Sequence, residues 1–255
     1  MIQVGQYVFC SESIVPVRSD FKDQAEIVTQ LLFGEVATII DEHNQWIKVK
    51  SAHDHYEGWI DQKQVLIVPE TTYHSVLKTF KRQFSSLCIV KSSWGDIHTV
   101  MGSFLPFEEP IFDIGQYTFE VVNPEKNSIP EDISKIALKY NNAPYLWGGR
   151  TPFGIDCSGF TQAVYRFYEI ELPRDASQQE KIGTEVKFEE VRKGDIAYFH
   201  NVKGNVTHVG IVLDNFSFIH ASGRVRIDRL TSTGIFNDEM KKETHQLHSI
   251  KRILT

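Results

Sequence analysis

The chain has 255 residues, 41% of them hydrophobic, with 27 Lys and Arg against 33 Asp and Glu, for a formal net charge of −6. That is enough apolar material for true cores, and the length suggests one or two domains, a count that small all-β modules can raise. Mild acidity without any long run of like charge excludes a phosphate-tracking surface, so nucleic acid is not an expected partner.

The three cysteines, Cys10, Cys88 and Cys157, form no C-x-x-C pair and no zinc spacing. A sparse, odd set fits a reducing compartment better than a disulfide framework. The first ten residues lack a basic n-region and a continuous apolar h-region, and no apolar stretch approaches ~20 residues. A cytoplasmic protein with no membrane partner is the expectation. Oligomeric state is not legible.

From Gly5 to Val68 short runs rich in β-branched and aromatic residues alternate with turns: Val15-Pro-Val-Arg18, Val36-Ala-Thr-Ile-Ile40, Trp46-Ile-Lys-Val-Lys50 and Glu57-Gly-Trp-Ile60. The pattern predicts a small β-barrel. Val17-Arg18, the run Glu26 to Glu35, and Tyr56-Glu-Gly-Trp-Ile60 resemble a bacterial SH3 (SH3b) module. From Thr71 to Val122, Ser86-Leu-Cys-Ile-Val90 and Tyr117-Thr-Phe-Glu-Val-Val122 read as strands, with turns at Gly102-Ser-Phe-Leu-Pro106 and Asp113-Ile-Gly115. These residues fit an irregular β extension or a second, diverged barrel, and the neighbouring resemblance favours the barrel.

The polar, twice proline-marked stretch 123–130 reads as a linker. After it, Ile133, Ile136, Ala137 and Tyr140 recur at helical spacing. A second helix follows Cys157, because Phe160, Ala163, Val164, Phe167 and Ile170 mark one apolar face. The thiol therefore opens a helix, where free amides and the macrodipole favour thiolate. Cys10 and Cys88, in apolar settings, read as small core residues.

Thr207 to Leu213 alternates, with His208 and Gly210 facing away from Val209, Ile211 and Leu213, and Phe216 to His220 alternates too. Asp214-Asn215 is hairpin chemistry. A three-residue connection at 213–215 would set His208 directly opposite His220, whereas an even one would put them on opposite faces. Cysteine, base and orienting group together suit a thiol nucleophile. The other eight histidines, His245 among them, read as structural. His53-Asp-His55 has the look of a metal pair but no further ligands, and no metal or cofactor is expected.

From Tyr145 to His220 the chain strongly resembles the NlpC/P60 peptidases of bacterial cell-wall chemistry. The resemblance rests on Tyr145-Leu-Trp-Gly-Gly-Arg150, Asp156-Cys-Ser-Gly-Phe160, Leu172-Pro-Arg-Asp-Ala-Ser-Gln178, Lys193-Gly-Asp-Ile-Ala-Tyr-Phe199, Thr207-His-Val-Gly-Ile211 and Phe218-Ile-His-Ala221, in that order. It implies a papain-like α+β domain whose triad is Cys157 nucleophile, His208 base and His220 third polar group. The expected fold is multidomain: an SH3b domain at 1–69, a second, diverged SH3b-like domain at 70–124, and an NlpC/P60 catalytic domain at 125–255.

This combination resembles the γ-D-glutamyl-L-diamino acid endopeptidases that recycle murein peptides carrying a free N-terminal L-alanine. By that resemblance Asp175 pairs with the substrate amine, helped by Tyr56 and Glu26, while Tyr145, Trp147, Asp156 and Ser158 line the cleft. Tyr145 also helps bind the oxyanion. Two other readings use the same residues: a wall-binding SH3b protein with an idle catalytic domain, and a thiol acyltransferase. The preference for diaminopimelate or lysine as the third residue is not legible.

Overall fold

The structure is a computed structural model and describes residues 2–122, 124, 129–214 and 216–254. The chain divides into two compact units, Met1–Ile129 and Pro130–Thr255. The linker expected at 123–130, with the expected boundary after 124, lies mostly outside the described residues.

In the first unit, strands β1 (Tyr7–Cys10), β2 (Ile14–Arg18), β3 (Ile27–Leu32), β4 (Val36–His43), β5 (Trp46–Ser51), β6 (Glu57–Asp61) and β7 (Val65–Val68) form one antiparallel sheet. Its order is β3-β2-β6-β5-β4-β1-β7. Alternation does the sorting, since Val15 and Val17 of β2 are buried while their neighbours are less so. The sheet curls around Val8, Cys10, Val15, Val17, Leu31, Ile39, Val49 and Ile60, and an irregularity between Ile39 and Asp41 bends β4. This is the expected first barrel, with Cys10 in its core as read from the sequence.

Residues 70–122 build helix α1 (Glu70–Thr79) and strands β8 (Lys81–Arg82), β9 (Leu87–Ser92), β10 (Gly95–Val100), β11 (Phe104–Leu105), β12 (Ile111–Ile114) and β13 (Tyr117–Val122). They form a four-stranded sheet, β10-β9-β13-β12, and a separate β11-β8 pair. Helix α1 was absent from the sequence reading. The segment does not keep a core to itself: Val76, Phe80, Val90, Phe104 and Phe119 join Phe9, Phe33, Val36 and Val68 of the first barrel in one cluster. Gly34, at φ +82°, sits where a Cβ would fall 2.1 Å from the Phe104 carbonyl oxygen, so the two segments touch through a position only glycine fits. Cys88 is half-buried against this cluster, and His53 stacks on Phe104 at 4.6 Å.

The second unit holds α2 (Ile133–Lys139), the short pair β14 (Arg150–Thr151) and β15 (Gly154–Ile155), α3 (Cys157–Tyr165), α4 (Ala176–Gln179), and strands β16 (Thr184–Glu185), β17 (Ile196–His200), β18 (Val206–Val212), β19 (Ser217–Ser222), β20 (Arg224–Leu230), β21 (Gly234–Asn237) and β22 (Lys242–Arg252). The sheet order is β16-β22-β17-β18-β19-β20-β21, and β22 also pairs with β21. Strand β17 is buried at every position but the last, as is β18 from His208 onward, which fits an α+β domain with both sheet faces covered. One of those faces carries Ala197, Phe199, Val212, Phe218, Leu230 and Ile250. Tyr140 and Phe160, from α2 and α3, meet edge to face at 5.9 Å. No described helix is long and apolar enough to cross a membrane.

Candidate active site

Cys157 is the first residue of α3, as the apolar spacing predicted. Asp156 caps that helix, its carboxylate accepting from the Gly159 amide at 2.7 Å and from the Gly148 amide at 2.8 Å. Arg174 grips the same carboxylate with both terminal nitrogens and donates to the Ser158 hydroxyl at 3.0 Å. Asp156 and Arg174 are 4% and 2% exposed. Asp156 and Ser158, expected to line a cleft, are therefore turned inward, and their side chains brace the start of the helix. Asp175 is half-buried at the head of α4, less enclosed than a fully buried anchor for an amine. Tyr145 and Trp147 are exposed, Trp147 at 59%. Tyr56 (half-buried) and Glu26 (exposed) belong to the first unit.

The Cys157 sulfur lies 4.0 Å from the Thr207 carbonyl oxygen, and the Val209 amide also approaches it. The thiol thus rests against the backbone on either side of His208. His208 Nε2 is 2.7 Å from His220 Nδ1, which leaves Nδ1 as the ring nitrogen of His208 without a hydrogen bond among the described residues. The two histidines share a face, as required, but the register differs from the expected one. Gly210, not His208, stands opposite His220. The Leu213 amide bonds to the Ser217 carbonyl, so the three-residue connection runs over 214–216, one residue later than expected. Parity is kept, and His208 reaches His220 diagonally. Phe216 has a positive φ of 61°; Asn215 lies outside the described residues.

Gly210 makes that approach possible. A Cβ there would fall 2.5 Å from Phe218 Cζ and 2.7 Å from His220 Cβ. Gly210→Ala is therefore expected to push β19 away and break the imidazole pair, lowering activity on the order of 100-fold while the sheet still forms. Steady-state assay beside far-UV circular dichroism checks this.

Asp228, not singled out from the sequence, and His245, read there as structural, complete the cluster. Asp228 of β20 places Oδ2 3.1 Å from His220 Nε2. His245 of β22 stacks on His208, with centroids 4.3 Å apart, and burial together with nearby His220 pushes its pKa down to about 4. A period-two count does set Arg226, Asp228 and Leu230 on one face, but nothing local says which face is buried. His245 is brought in by β22, which the sequence reading did not resolve.

The electrostatics correct one expectation. Burial, and secondarily Asp156, pushes the Cys157 thiol up to about 12, while Arg174 and the Ser158 and Val209 amides pull only weakly the other way. Burial with His220 and His245 holds His208 well below its ordinary value. Burial thus pushes both groups toward their neutral forms, against the pull toward thiolate at the helix start. Tyr145 is 36% exposed, and the partial burial of the rest, with Cys157 and Asp156, raises it to about 12, so its hydroxyl stays a donor at neutral pH.

A cysteine at a helix start, braced by a buried ion pair and set against a histidine pair on an antiparallel sheet, defines a thiol–imidazole site in an α+β domain. Residues 142–246 match the NlpC/P60 family, and residues 17–65 match the bacterial dipeptidyl-peptidase SH3 domain. The chain thus carries an NlpC/P60 domain over residues 142–246 and a bacterial SH3 domain over residues 17–65. It is 29% identical over 239 residues to the γ-D-glutamyl-L-lysine dipeptidyl-peptidase of Bacillus subtilis (strain 168), covering 84% of this chain and 79% of the relative. The enzyme of that name in Bacillus cereus (strain ATCC 10987 / NRS 248) is 26% identical over 225 residues, covering 77% and 67%. The crystal structure of an NlpC/P60 family protein from Bacillus cereus ATCC 10987 shares the fold, with a TM-score of 0.76 at 20% identity over 96% of this chain and 99% of that one.

Proposed function

We propose that the protein is a cysteine peptidase that hydrolyses the γ-D-glutamyl-L-diamino acid bond of murein-derived peptides with a free N-terminal L-alanine, in the cytoplasm, as a step in wall-peptide recycling. The observation that carries this reading is the thiol of Cys157 lying against the backbone flanking His208, whose far nitrogen is held by His220. The relatives' names supply the bond class, γ-D-glutamyl-L-lysine.

In the mechanism, the Cys157 proton passes to His208 Nδ1 as sulfur attacks the γ-carbonyl carbon, so charge separates only as the S–C bond forms. The Cys157 amide and the Tyr145 hydroxyl hold the oxyanion. The C–N bond breaks as His208 returns the proton to the leaving amine. Water, deprotonated by His208, then cleaves the thioester and restores the thiol. Asp175 receives the substrate ammonium, with Trp147 as an apolar wall. Residues 70–122 serve as a second, diverged SH3b-like module, a reading supported by their short antiparallel strands.

Free L-Ala-γ-D-Glu-L-diamino acid is expected to be cleaved, and its N-acetyl form to lose on the order of 100-fold in kcat/KM, since acetylation removes the charge and leaves a partly desolvated carboxylate unmatched. Mass spectrometry of both reactions checks this and separates hydrolysis from acyl transfer. Equal turnover of the two peptides would sink the amine anchor.

A further inference from the structure

The histidine pair has an acid behind it. His220 Nε2 faces Asp228 Oδ2 at 3.1 Å, and His220 is 1% exposed. Asp228 is itself held from three sides. Asn237 Nδ2 donates to Oδ2 at 3.1 Å, and Arg226 Nη2 donates to Oδ1 at 3.1 Å. Arg226 Nε sits 3.0 Å from Oδ2, and the guanidinium continues to Glu239 at the surface. Among the described residues the pair is also faced by His245 on β22, which is neutral, and by the apolar rings of Phe199 on β17 and Phe218 on β19.

We propose that Asp228 is a positioning residue that sets the tautomer of both histidines, and so keeps the His208 nitrogen on the thiol side free of its proton. An ionised carboxylate can only accept, so His220 must carry its proton on Nε2. A neutral His220 then offers a lone pair at Nδ1. At 2.7 Å one of the two facing nitrogens must donate, and it is His208 Nε2. A neutral His208 has one proton to place, so Nδ1 is left as the base. The order of protons is fixed from the far end of the relay, three groups from the sulfur. When His208 becomes imidazolium, its positive charge is shared toward His220 and met by the carboxylate beyond it. The third polar group, weak alone because it is neutral, thereby acts with an anion at one remove.

The proposal rests on Cys157 and His208 being nucleophile and base, but its main test needs no substrate. In the full chain with ¹⁵N-labelled histidine, long-range ¹H–¹⁵N correlations report which ring nitrogen carries hydrogen. His208 and His220 are both expected as the Nε2–H form at neutral pH. A proton on His220 Nδ1 in the unaltered protein overturns the proposal whatever any variant does. Asp228→Asn offers a donor as well as an acceptor, and Asp228→Ala offers neither, so each lifts the constraint. In both, a share of His208 is expected to appear as Nδ1–H, and kcat on the free-amine peptide to fall on the order of 100-fold with KM unchanged. Unchanged histidine spectra and kcat in the folded Asn variant would also refute it. Correct tautomers in a protein that cleaves no murein peptide would instead leave this assignment standing and remove the proposed function.

Discussion

Cys157→Ala is expected to abolish cleavage of the free-amine peptide, with a loss on the order of 10⁴-fold or more, while the second unit unfolds at nearly its original temperature. Removing one buried sulfur forfeits only about 1 kcal/mol of burial, because the helix start is held by Asp156 and Arg174 and not by the thiol. The chemistry, by contrast, loses its only nucleophile, and what remains is binding and oxyanion donors. Peptide turnover beside thermal melting separates the two. The free enzyme should also show its neutral ground state. With the thiol raised to about 12, the thiolate share at pH 7 is minute and grows about tenfold per pH unit. Alkylation of Cys157 by iodoacetamide is therefore expected to climb steadily from pH 7 to pH 10. A plateau near neutrality would mean that thiolate and imidazolium coexist at rest.

The second large effect is structural. Arg174→Ala leaves the Asp156 carboxylate inside the domain with its cationic partner gone, and breaking a buried pair from one side costs about 3–5 kcal/mol. The same change removes the donor to Ser158. Urea unfolding of the second unit is expected to shift to clearly lower concentration, and the Gly148 and Gly159 amides, which bond to Asp156, should exchange with solvent faster. Asp156→Asn, which keeps an acceptor for one of those amides, should lose less. An unchanged unfolding midpoint for Arg174→Ala would show that water reaches the carboxylate in place of the guanidinium.

Much of this site was legible because its signals are local. Cys157 precedes a clean helical face, and His208 and His220 stand on alternating strands joined by turn residues. The hairpin connection falls one residue later than the turn pair Asp214-Asn215 suggests by itself, and Phe216 there has a positive φ of 61°. The bracing role of Asp156 and Ser158 was not legible, because polar residues beside a nucleophile look like ligand contacts until their partner is known. That partner, Arg174, lies 18 residues on. Asp228 and His245 arrive through sheet order, β19 beside β20 and β17 beside β22, which no short-range periodicity encodes. The upward push on the thiol was hidden because burial, unlike helix polarity, is a tertiary quantity.

Phe80, Val90, Phe104 and Phe119 are seated on Phe9 and Phe33, so the barrel of residues 2–68 cannot be cut free without opening a wide oily face. Gene rearrangements that shuffle such modules would have to carry both segments as one cassette, and an isolated barrel made for biochemical work should clump in solution. The smallest portable piece of the amino-terminal half is therefore the whole of it.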